Sequence, residues 1–324
     1  MLRVAKSLDH ITPKSMSHIS SDLGIALIDT NKALDELTRL EFPFRIQNDG
    51  KYLMTSPVSW LSKDMIQQEM GDLSHNYLIE LVGATGSTNS DLLSRRSIRE
   101  KNPKTLVRIA ELQQNGRGRR GRKWITGLGD SLTFSLLHKF NMPASVLPSL
   151  TLVVGVAVIR SLRNLGGQKF KLKWPNDIIR GNMKVGGILT ELGNFDSKTA
   201  DVVIGIGLNI KRKHIIENGL KVVVSDLYRE KMSHDRNQIL VSILKELHNV
   251  FASFEASGFT SFSDEYEDMH YYHNRLVTIE TYPKKFERGS VIGVGPLGEL
   301  ILKINGKRKM FNAGEIKLES SDEG

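Results

Sequence analysis

A cationic, glycine-rich segment, residues 113–124, limits the possible functions of this chain more than any other stretch. Within this "arginine loop", three glycines alternate with four arginines, and Lys123 and Trp124 follow. Glycine allows backbone conformations closed to other residues and lets a ligand approach its amides. Guanidinium groups bind phosphate oxygens in bidentate fashion. Because the five cations repel one another, we expect a loop that is mobile alone and folds over a phosphorylated or adenylated ligand.

Three other interpretations of the arginine loop are open. The spacing Gly116-x-Gly118-x-x-Gly121 matches a dinucleotide-binding fingerprint, but that fingerprint opens a helix. The residues that follow, 123–130, do not predict a helix. The loop could also belong to the Arg/Gly-rich segments that bind nucleic acid, or it could be a solvated basic loop without a ligand.

The composition predicts a globular protein with two or three domains. The chain has 324 residues, of which 40% are apolar and 25% charged,. It contains no cysteine, which excludes disulfides, thiolate metal sites and thiol nucleophiles and fits a cytoplasmic protein. Residues 1–14 contain no long apolar region and therefore do not predict a secretory signal. The apolar stretch 146–165 is interrupted by polar residues, so we expect a buried helix and not a membrane span.

The positive charge is unevenly distributed along the chain. The net charge is +9, yet residues 1–61 carry seven cationic and seven anionic side chains. The excess lies in the arginine loop and in segments 169–173, 211–213 and 307–309. An anionic partner or ligand is therefore expected at the central and C-terminal parts of the chain.

Hydrophobic periodicity and turn signals predict an α+β protein in three parts. Residues 1–62 predict three short helices and a β-hairpin through Asn48-Asp49-Gly50, the pattern of a winged helix-turn-helix,. Residues 63–272 alternate strands and helices, with a long helix over 235–257 and a further helix over 259–270,. His248 is expected on the exposed, polar side of the long helix. Residues 273–324 predict short strands, with a hairpin at Asn305-Gly306,.

Four further segments carry chemistry: 86–89, 173–177, 184–189 and 205–210. Segment 86–89 offers two hydroxyls and an amide, although such residues also cap helices. Asp177 follows a strand, where it could hold Mg²⁺ or orient a phosphate, or simply form a turn. Lys184 stands beside two glycines and could neutralise charge that develops during a reaction, or be a solvated lysine.

Together with the arginine loop, these four segments closely resemble, in order and spacing, the bacterial biotin protein ligases, including bifunctional ligases that repress the biotin operon. The resemblance implies a class II synthetase-like catalytic domain with a mixed sheet, preceded by a winged helix-turn-helix and followed by an SH3-like β-barrel. It also implies that biotin and ATP, with Mg²⁺, give biotinyl-5′-AMP. The biotinyl group then passes to a lysine of the biotin carboxyl carrier protein of acetyl-CoA carboxylase.

The resemblance assigns roles to individual residues. Those expected at biotin are Ser87, Thr88, Asn89, Gln113, Arg117, Gly118, Arg119, Lys184 and Gly187. Those expected at the adenylate are Arg119, Arg122, Trp124, Lys173, Asn176 and Asn209. Lys184, Arg119 and Asp177 are the expected catalytic residues, with Asp177 at Mg²⁺. Segment 211–224 resembles, loosely, a flexible segment that closes over adenine.

Residues 1–62 leave two interpretations open. As a repressor domain they would bind biotin operator DNA, after adenylate-driven homodimerisation, through Asn31, Lys32, Arg39 and Lys51,. Alternatively the domain serves only packing or partner contact, because its third helix has a mixed, slightly acidic polar face. A lipoate ligase-type enzyme is the neighbouring alternative for the whole chain. A dedicated repressor would leave the central motifs without a role.

Overall fold

The computed structural model describes residues 1–95, 103–211, 224–229, 232–281 and 285–318. Within these ranges the chain is α+β, as predicted, with helices and strands distributed over an N-terminal, a central and a C-terminal unit. Most of the segment expected to close over adenine, 212–223, lies outside the described residues.

The N-terminal unit consists of three helices and one hairpin. The helices are α1 (Leu2–Ser7), α2 (Met16–Leu23) and α3 (Leu27–Arg39), and the strands are β1 (Phe44–Ile46) and β2 (Tyr52–Met54). Ser15 caps α2 by accepting a hydrogen bond from the backbone nitrogen of His18, and Gly24, at φ 60°, ends it,. These elements agree with the sequence prediction to within a few residues.

The N-terminal unit packs on the central unit next to the arginine loop. Its apolar core includes Leu112 and Leu128, which flank the loop on either side in sequence. A linker, residues 55–62, then leads from β2 into α4 (Lys63–Met70) and a 3₁₀ turn, Gly71–Asn76. The residues on either side of the arginine loop are therefore held in the core of the N-terminal unit.

A seven-stranded mixed sheet forms the central unit, as predicted. Its order is β3-β4-β7-β11-β10-β9-β8; β3 and β4 are parallel and the other neighbours antiparallel. The strands are β3 (Tyr77–Val82), β4 (Thr105–Ala110), β7 (Ser131–Phe140), β8 (Phe170–Lys173), β9 (Asp177–Arg180), β10 (Met183–Phe195) and β11 (Ala200–Asn209). Between β4 and β7, the arginine loop holds two short strands, β5 (Gly116–Arg117) and β6 (Lys123–Trp124).

Alternation along the strands gives this sheet two covered faces. Val107 and Ile204 belong to the main core with α6 (Leu150–Asn164) and α7 (Arg236–Ser257), whereas Leu106 and Val203 pack with Leu92 of α5 (Thr88–Ser94). The segment Ala144–Asn164 is long and apolar enough to cross a membrane by composition, but 72% of its most apolar window is buried in the protein. The prediction of a buried helix is therefore confirmed.

The C-terminal unit is a five-stranded antiparallel sheet in the order β15-β14-β13-β12-β16. Its strands are β12 (Leu276–Thr281), β13 (Lys285–Val294), β14 (Leu300–Ile304), β15 (Lys307–Phe311) and β16 (Glu315–Leu318). The side chain of Trp174 connects this unit to the central one by donating a hydrogen bond to the carbonyl of Gly298 at 2.8 Å. This docking brings the beginning of β16 to the central sheet.

Two details differ from the sequence prediction. The helix expected over 259–270 is a 3₁₀ turn, Gly258–Phe262, followed by α8 (Ser263–Met269). His248 was expected on the exposed side of α7, but it is half-buried, with its ring centroid 6.4 Å from that of Tyr77. The reason is that α4 and β3 pack beside α7, which periodicity along one helix does not reveal.

Burial of His270 makes the stability of the protein depend on pH. The side chain is 3% exposed, and burial, followed by repulsion from His273, lowers its pKa to about 3. The unfolded chain takes up this proton below about pH 6.5, whereas the folded chain stays neutral. We therefore expect folding to lose about 2 kcal/mol from this group between pH 6.5 and pH 5. The free energy of unfolding, measured with denaturant at several pH values, should fall less steeply as the pH is lowered in His270→Leu than in the unaltered protein. The exposed His75→Leu should keep the slope of the unaltered protein. Equal slopes in the unaltered protein and both variants would contradict this account.

Candidate active site

One cavity of about 870 Å³ lies where the central sheet, α5, the arginine loop and the C-terminal unit meet. Its volume is in the range of small-molecule sites. Every residue predicted for biotin or adenylate binding lines it: Ser87, Thr88, Asn89, Gln113, Arg117, Gly118, Arg119, Arg122, Trp124, Lys173, Asn176, Asp177, Lys184, Gly187 and Asn209. Sequence reasoning missed residues 314–317 at the start of β16, which also line it.

Hydrogen-bonding side chains converge at the first turn of α5. Ser87 is the N-cap of this helix, so the simple capping interpretation applies to it,. Thr88 does more: its backbone nitrogen donates to Oε1 of Gln113 at 2.8 Å, and its hydroxyl lies 3.0 Å from the same oxygen. These contacts hold the Gln113 oxygen against α5 and turn its amide nitrogen away from Thr88. Gln113 can therefore donate to a ligand carbonyl.

A second set of polar contacts supports the turn before α5. The hydroxyl of Thr85 donates to Asp91 at 2.8 Å, and Nε of Arg108 donates to the same carboxylate oxygen at 3.0 Å. The backbone nitrogen of Asn115 donates to the carbonyl of Gly86 at 2.8 Å. The turn is thus fastened both to β4 and to the beginning of the arginine loop. Sequence reasoning missed Asp91 and Arg108, since only the fold brings them together.

The arginine loop is a small hairpin. Strands β5 and β6 pair in antiparallel fashion, and the tip contains Arg120 and Gly121 at φ 55° and 73°. A Cβ atom on Gly116 would lie 2.3 Å from the carbonyl oxygen of Trp124, so only glycine fits there,. The fingerprint requires a strand followed by the N-terminus of a helix, whereas the arginine loop forms a hairpin,. The dinucleotide-fingerprint interpretation is therefore wrong.

Acidic side chains from two other elements offset the repulsion expected within the loop. Arg117 pairs with Glu191 of β10 at 2.8 Å. Arg120 pairs with Glu315 of β16 at 3.2 Å, and Arg122 contacts the same carboxylate. The loop was expected to be mobile without a ligand, but these contacts connect it to β10 and to the C-terminal unit. Neither glutamate belongs to a recognisable motif, which explains why the sequence did not reveal them.

Two cations at the other end of the cavity have incomplete charge compensation. Arg119 donates to the Asn176 amide oxygen at 3.3 Å, and burial, followed by repulsion from Arg120, lowers the pKa of Arg119. Burial also lowers the pKa of Lys173, with Asp177 opposing the shift. Desolvated cations of this kind gain from an anion brought into the cavity. The geometry thus favours the phosphate group of a ligand at this end.

Lys184 lines the cavity from β10. Its Nζ is 2.7 Å from Oδ1 of Asp177 and 5.5 Å from the ring centroid of Trp124. That ring lies against Gly207, where a Cβ atom would be 2.5 Å from it, and near Gly187, where a Cβ atom would be 3.5 Å from it. The structure shows that Gly207 gives room to Trp124.

Two buried polar atoms of the cavity wall have no partner among the described residues. They are the indole nitrogen of Trp124 and the amide oxygen of Asn209. The Asn209 amide nitrogen is used, since it donates to the carbonyl of Ser225 at 3.0 Å. Buried polar atoms are nearly always hydrogen-bonded, so a ligand or water is expected to supply one donor and one acceptor here.

The acidic groups fit a metal ion only as part of a nucleotide complex. No cluster of three His, Cys, Asp or Glu side chains that could hold a metal occurs in the described part of the chain. Asp177 is a single carboxylate, and it already pairs with Lys184. Mg²⁺ commonly binds one or two carboxylates together with substrate phosphates. The magnesium role of Asp177 stays a prediction that requires ATP.

Comparison with known proteins agrees with this geometry. Residues 82–209 match the model of the Biotin/lipoate A/B protein ligase family. The matched part runs from the end of β3 to the end of β11. The chain is similar to "Bifunctional ligase/repressor BirA" of Escherichia coli (strain K12), with 29% identity over 95% of this chain and 94% of the relative. It is also similar to "Biotin--[acetyl-CoA-carboxylase] ligase" of Mycobacterium tuberculosis, with 29% identity over 74% and 88%.

A solved structure resembles the central and C-terminal parts. The biotin protein ligase from Aquifex aeolicus in complex with biotin and ATP superposes with a TM-score of 0.61 and 27% identity. The match covers 74% of this chain and 98% of that chain. The fold of this chain is thus similar to that of a ligase solved with biotin and ATP bound.

The residues predicted for DNA contact are not among those that line this cavity. Asn31, Lys32, Arg39 and Lys51 are all exposed on the N-terminal unit. Two of them have acidic neighbours: Asn31 donates to Asp35 at 3.2 Å, and Lys51 pairs with Asp49 at 2.7 Å. Their role in DNA binding stays a prediction.

Proposed function

We propose that the chain is a biotin–[acetyl-CoA-carboxylase] ligase. It activates biotin with ATP to biotinyl-5′-AMP and transfers the biotinyl group to a lysine of the biotin carboxyl carrier protein. One observation carries the proposal: residues from five separate segments line a single cavity. Its amide and hydroxyl groups lie at α5, which packs on β4, β7 and β11, whereas its undercompensated cations lie at the turn between β8 and β9, toward the far edge of the sheet. This polarity suits a neutral ring system joined to a phosphate.

The first step joins biotin to AMP. A carboxylate oxygen of biotin attacks the α-phosphorus of MgATP, the bond to the bridging oxygen breaks, and pyrophosphate leaves. Lys184, held by Asp177, is placed to neutralise negative charge that increases on the transferred phosphoryl group,. Arg119 and Lys173 add positive charge at the same end. Mg²⁺ arrives with the substrate and offsets the charge of its phosphates.

The second step transfers the biotinyl group. The amine of a carrier lysine attacks the carbonyl carbon of the mixed anhydride, AMP leaves, and the amine loses a proton as the amide forms. No covalent bond to the ligase is needed, which agrees with a chain that contains no cysteine. The arginine loop shields the anhydride from water between the steps.

Intact-mass measurement tests the ligase proposal. A purified biotin-carrier domain is incubated with the protein, biotin and MgATP. A gain of one biotinyl group, absent when the target lysine is replaced, is the expected result. A gain with lipoate and none with biotin would instead identify a lipoate ligase-type enzyme, the neighbouring alternative.

Arg119→Gly is expected to release biotinyl-5′-AMP from the cavity. Arg119 is the half-buried cation of the loop, and its loss removes a group placed to pair with the adenylate phosphate. The released anhydride should biotinylate lysines of added albumin. The neighbouring variant Arg120→Gly, at an exposed position with positive φ, serves as the matched control and should retain selectivity. Tight retention in Arg119→Gly would remove Arg119 from this role.

The N-terminal unit carries a second candidate function, as a biotin-responsive repressor. We propose that α1 to β2 form a winged helix-turn-helix and that the C-terminal sheet is an SH3-like barrel. The exposed polar face of α3 and the hairpin offer Asn31, Lys32, Arg39 and Lys51 to operator DNA, after adenylate-driven homodimerisation in the cytoplasm. A gel shift with biotin, ATP and the biotin-operon promoter is the test. No shift at any protein concentration would leave a ligase whose N-terminal unit serves packing.

A further inference from the structure

We propose that Glu191 is a positioning residue that connects the biotin end of the cavity to the arginine loop. The proposal rests on the ligase function, because it concerns how that one site assembles. Glu191 lies on β10, beyond the residues that line the cavity, and no motif predicts it. Its importance comes from the two elements that its carboxylate joins.

The first of these elements is α5, through Asn89. The Asn89 side chain is 4% exposed. Its amide nitrogen donates to the carbonyl of Leu189 at 3.2 Å and to Oε2 of Glu191 at 2.8 Å, and its oxygen accepts from Ser135 at 2.5 Å. Both amide donors are therefore used within the protein, and one lone pair of the oxygen is left. Asn89, expected to bind the biotin ring, is thus well placed to hold its neighbours in position.

The second element is the arginine loop, through Arg117. The same Oε2 atom of Glu191 accepts a hydrogen bond from Nη2 of Arg117 at 2.8 Å. A guanidinium has five donors, so the remaining nitrogens of Arg117 are available for a ligand. One carboxylate oxygen thereby fixes both the entry strand β5 of the loop and the side chain of Asn89.

These contacts extend into a continuous network. It runs from Arg117 through Glu191, Asn89 and Ser135 to Thr88, whose hydroxyl donates to that of Ser135 at 2.6 Å. The backbone nitrogen of Thr88 then holds Gln113. The backbone leaves room for it, since a Cβ atom on Gly205 would lie 2.2 Å from the Asn89 oxygen. A ligand that orders Gln113 therefore also favours the position of Arg117, and loop closure follows binding at the biotin end.

Two substitutions separate the two contacts of Glu191. Glu191→Gln keeps a carbonyl oxygen for Asn89 but removes the charge that pairs with Arg117. Glu191→Ala removes both contacts. Glu287→Gln is the matched control, because Glu287 pairs with Lys309 at 2.5 Å on the remote C-terminal sheet. The measurements are hydrogen exchange of the loop amides in the ligand-free protein, the Kd for biotin and the kcat of carrier biotinylation.

The expected results differ between the variants. Both Glu191 variants exchange the loop amides faster than the unaltered protein and Glu287→Gln. Glu191→Ala weakens biotin binding by about tenfold, whereas Glu191→Gln restores it to within about threefold. The KM for biotin in Glu191→Ala rises accordingly, while kcat falls less.

Two results would overturn the proposal. One is unchanged loop exchange in both variants, and the other is equal biotin affinity in Glu191→Ala and the unaltered protein. The exchange measurement needs no ligand. If the protein binds no biotin at all and the Glu191 variants still show faster loop exchange, the ligase function and the coupling to biotin are refuted. The contact between Glu191 and the loop is then still supported.

Discussion

Arg236→Met is expected to lower the free energy of unfolding by about 3–5 kcal/mol. Arg236 is the first residue of α7 and is 0% exposed. Its guanidinium donates to Glu111 at 2.6 Å and to the carbonyls of Ser59 and Ser131 at 2.7 and 3.1 Å. Methionine fills much of the same volume but leaves Glu111 as a buried, unpaired charge. Urea denaturation measures the loss directly.

The same pair connects three parts of the fold. Glu111 also accepts from the backbone nitrogen of Leu61 at 2.9 Å, so the linker, the segment before the arginine loop and α7 meet at one buried ion pair. The double variant Arg236→Met/Glu111→Gln should regain part of the lost stability, because no charge is then left unpaired. The exposed Arg163→Met should change stability by less than about 0.5 kcal/mol. Equal losses in the single and double variants would mean that the carbonyl contacts dominate instead.

Motif spacing predicted that these residues lie together, and they line one cavity because several of them stand near strand ends. Gln113, Asp177 and Asn209 come at or beside the ends of β4, β9 and β11, and a sheet brings such positions together. The long helix α6 was recognisable because its stretch is mostly apolar, with polar interruptions that argued against a membrane span. These are local signals, and a single sequence contains them in full.

Contacts between distant segments could not be predicted in the same way. Glu191 and Glu315 complete the arginine loop, yet each is a single acidic residue in an otherwise ordinary strand. The buried pair of Arg236 with Glu111 is 125 residues apart in the chain. Such pairs depend on the register of the sheet and on docking of the C-terminal unit, which hydrophobic periodicity does not specify. The loop was expected to be mobile because only its own charges could be read from the sequence, and the acidic partners that offset them could not.

Lys184→Gln is expected to reduce the rate of biotin adenylation by about 10²–10³-fold. The Nζ of Lys184 lies 2.7 Å from Asp177 and near Trp124, in a side chain that is 24% exposed. A positioned ammonium stabilises charge that increases in the transition state, whereas glutamine offers only a neutral amide. An interaction made chiefly in the transition state lowers kcat and kcat/KM together. The measurement is biotin-dependent pyrophosphate release.

Two further variants identify what Lys184 contributes. Lys171 is an exposed lysine on β8, two strands away from β10 in the sheet, and its Nζ donates to the carbonyl of Asp268. Lys171→Gln should keep the full rate. Asp177→Asn leaves the ammonium without its partner, so a smaller loss than in Lys184→Gln is expected if Asp177 mainly orients the lysine. A raised KM for ATP with an unchanged kcat in Lys184→Gln would show that the ammonium binds the ground state equally well. In that case catalysis would depend on Arg119 and Lys173, the two cations whose burial leaves them in need of an anion.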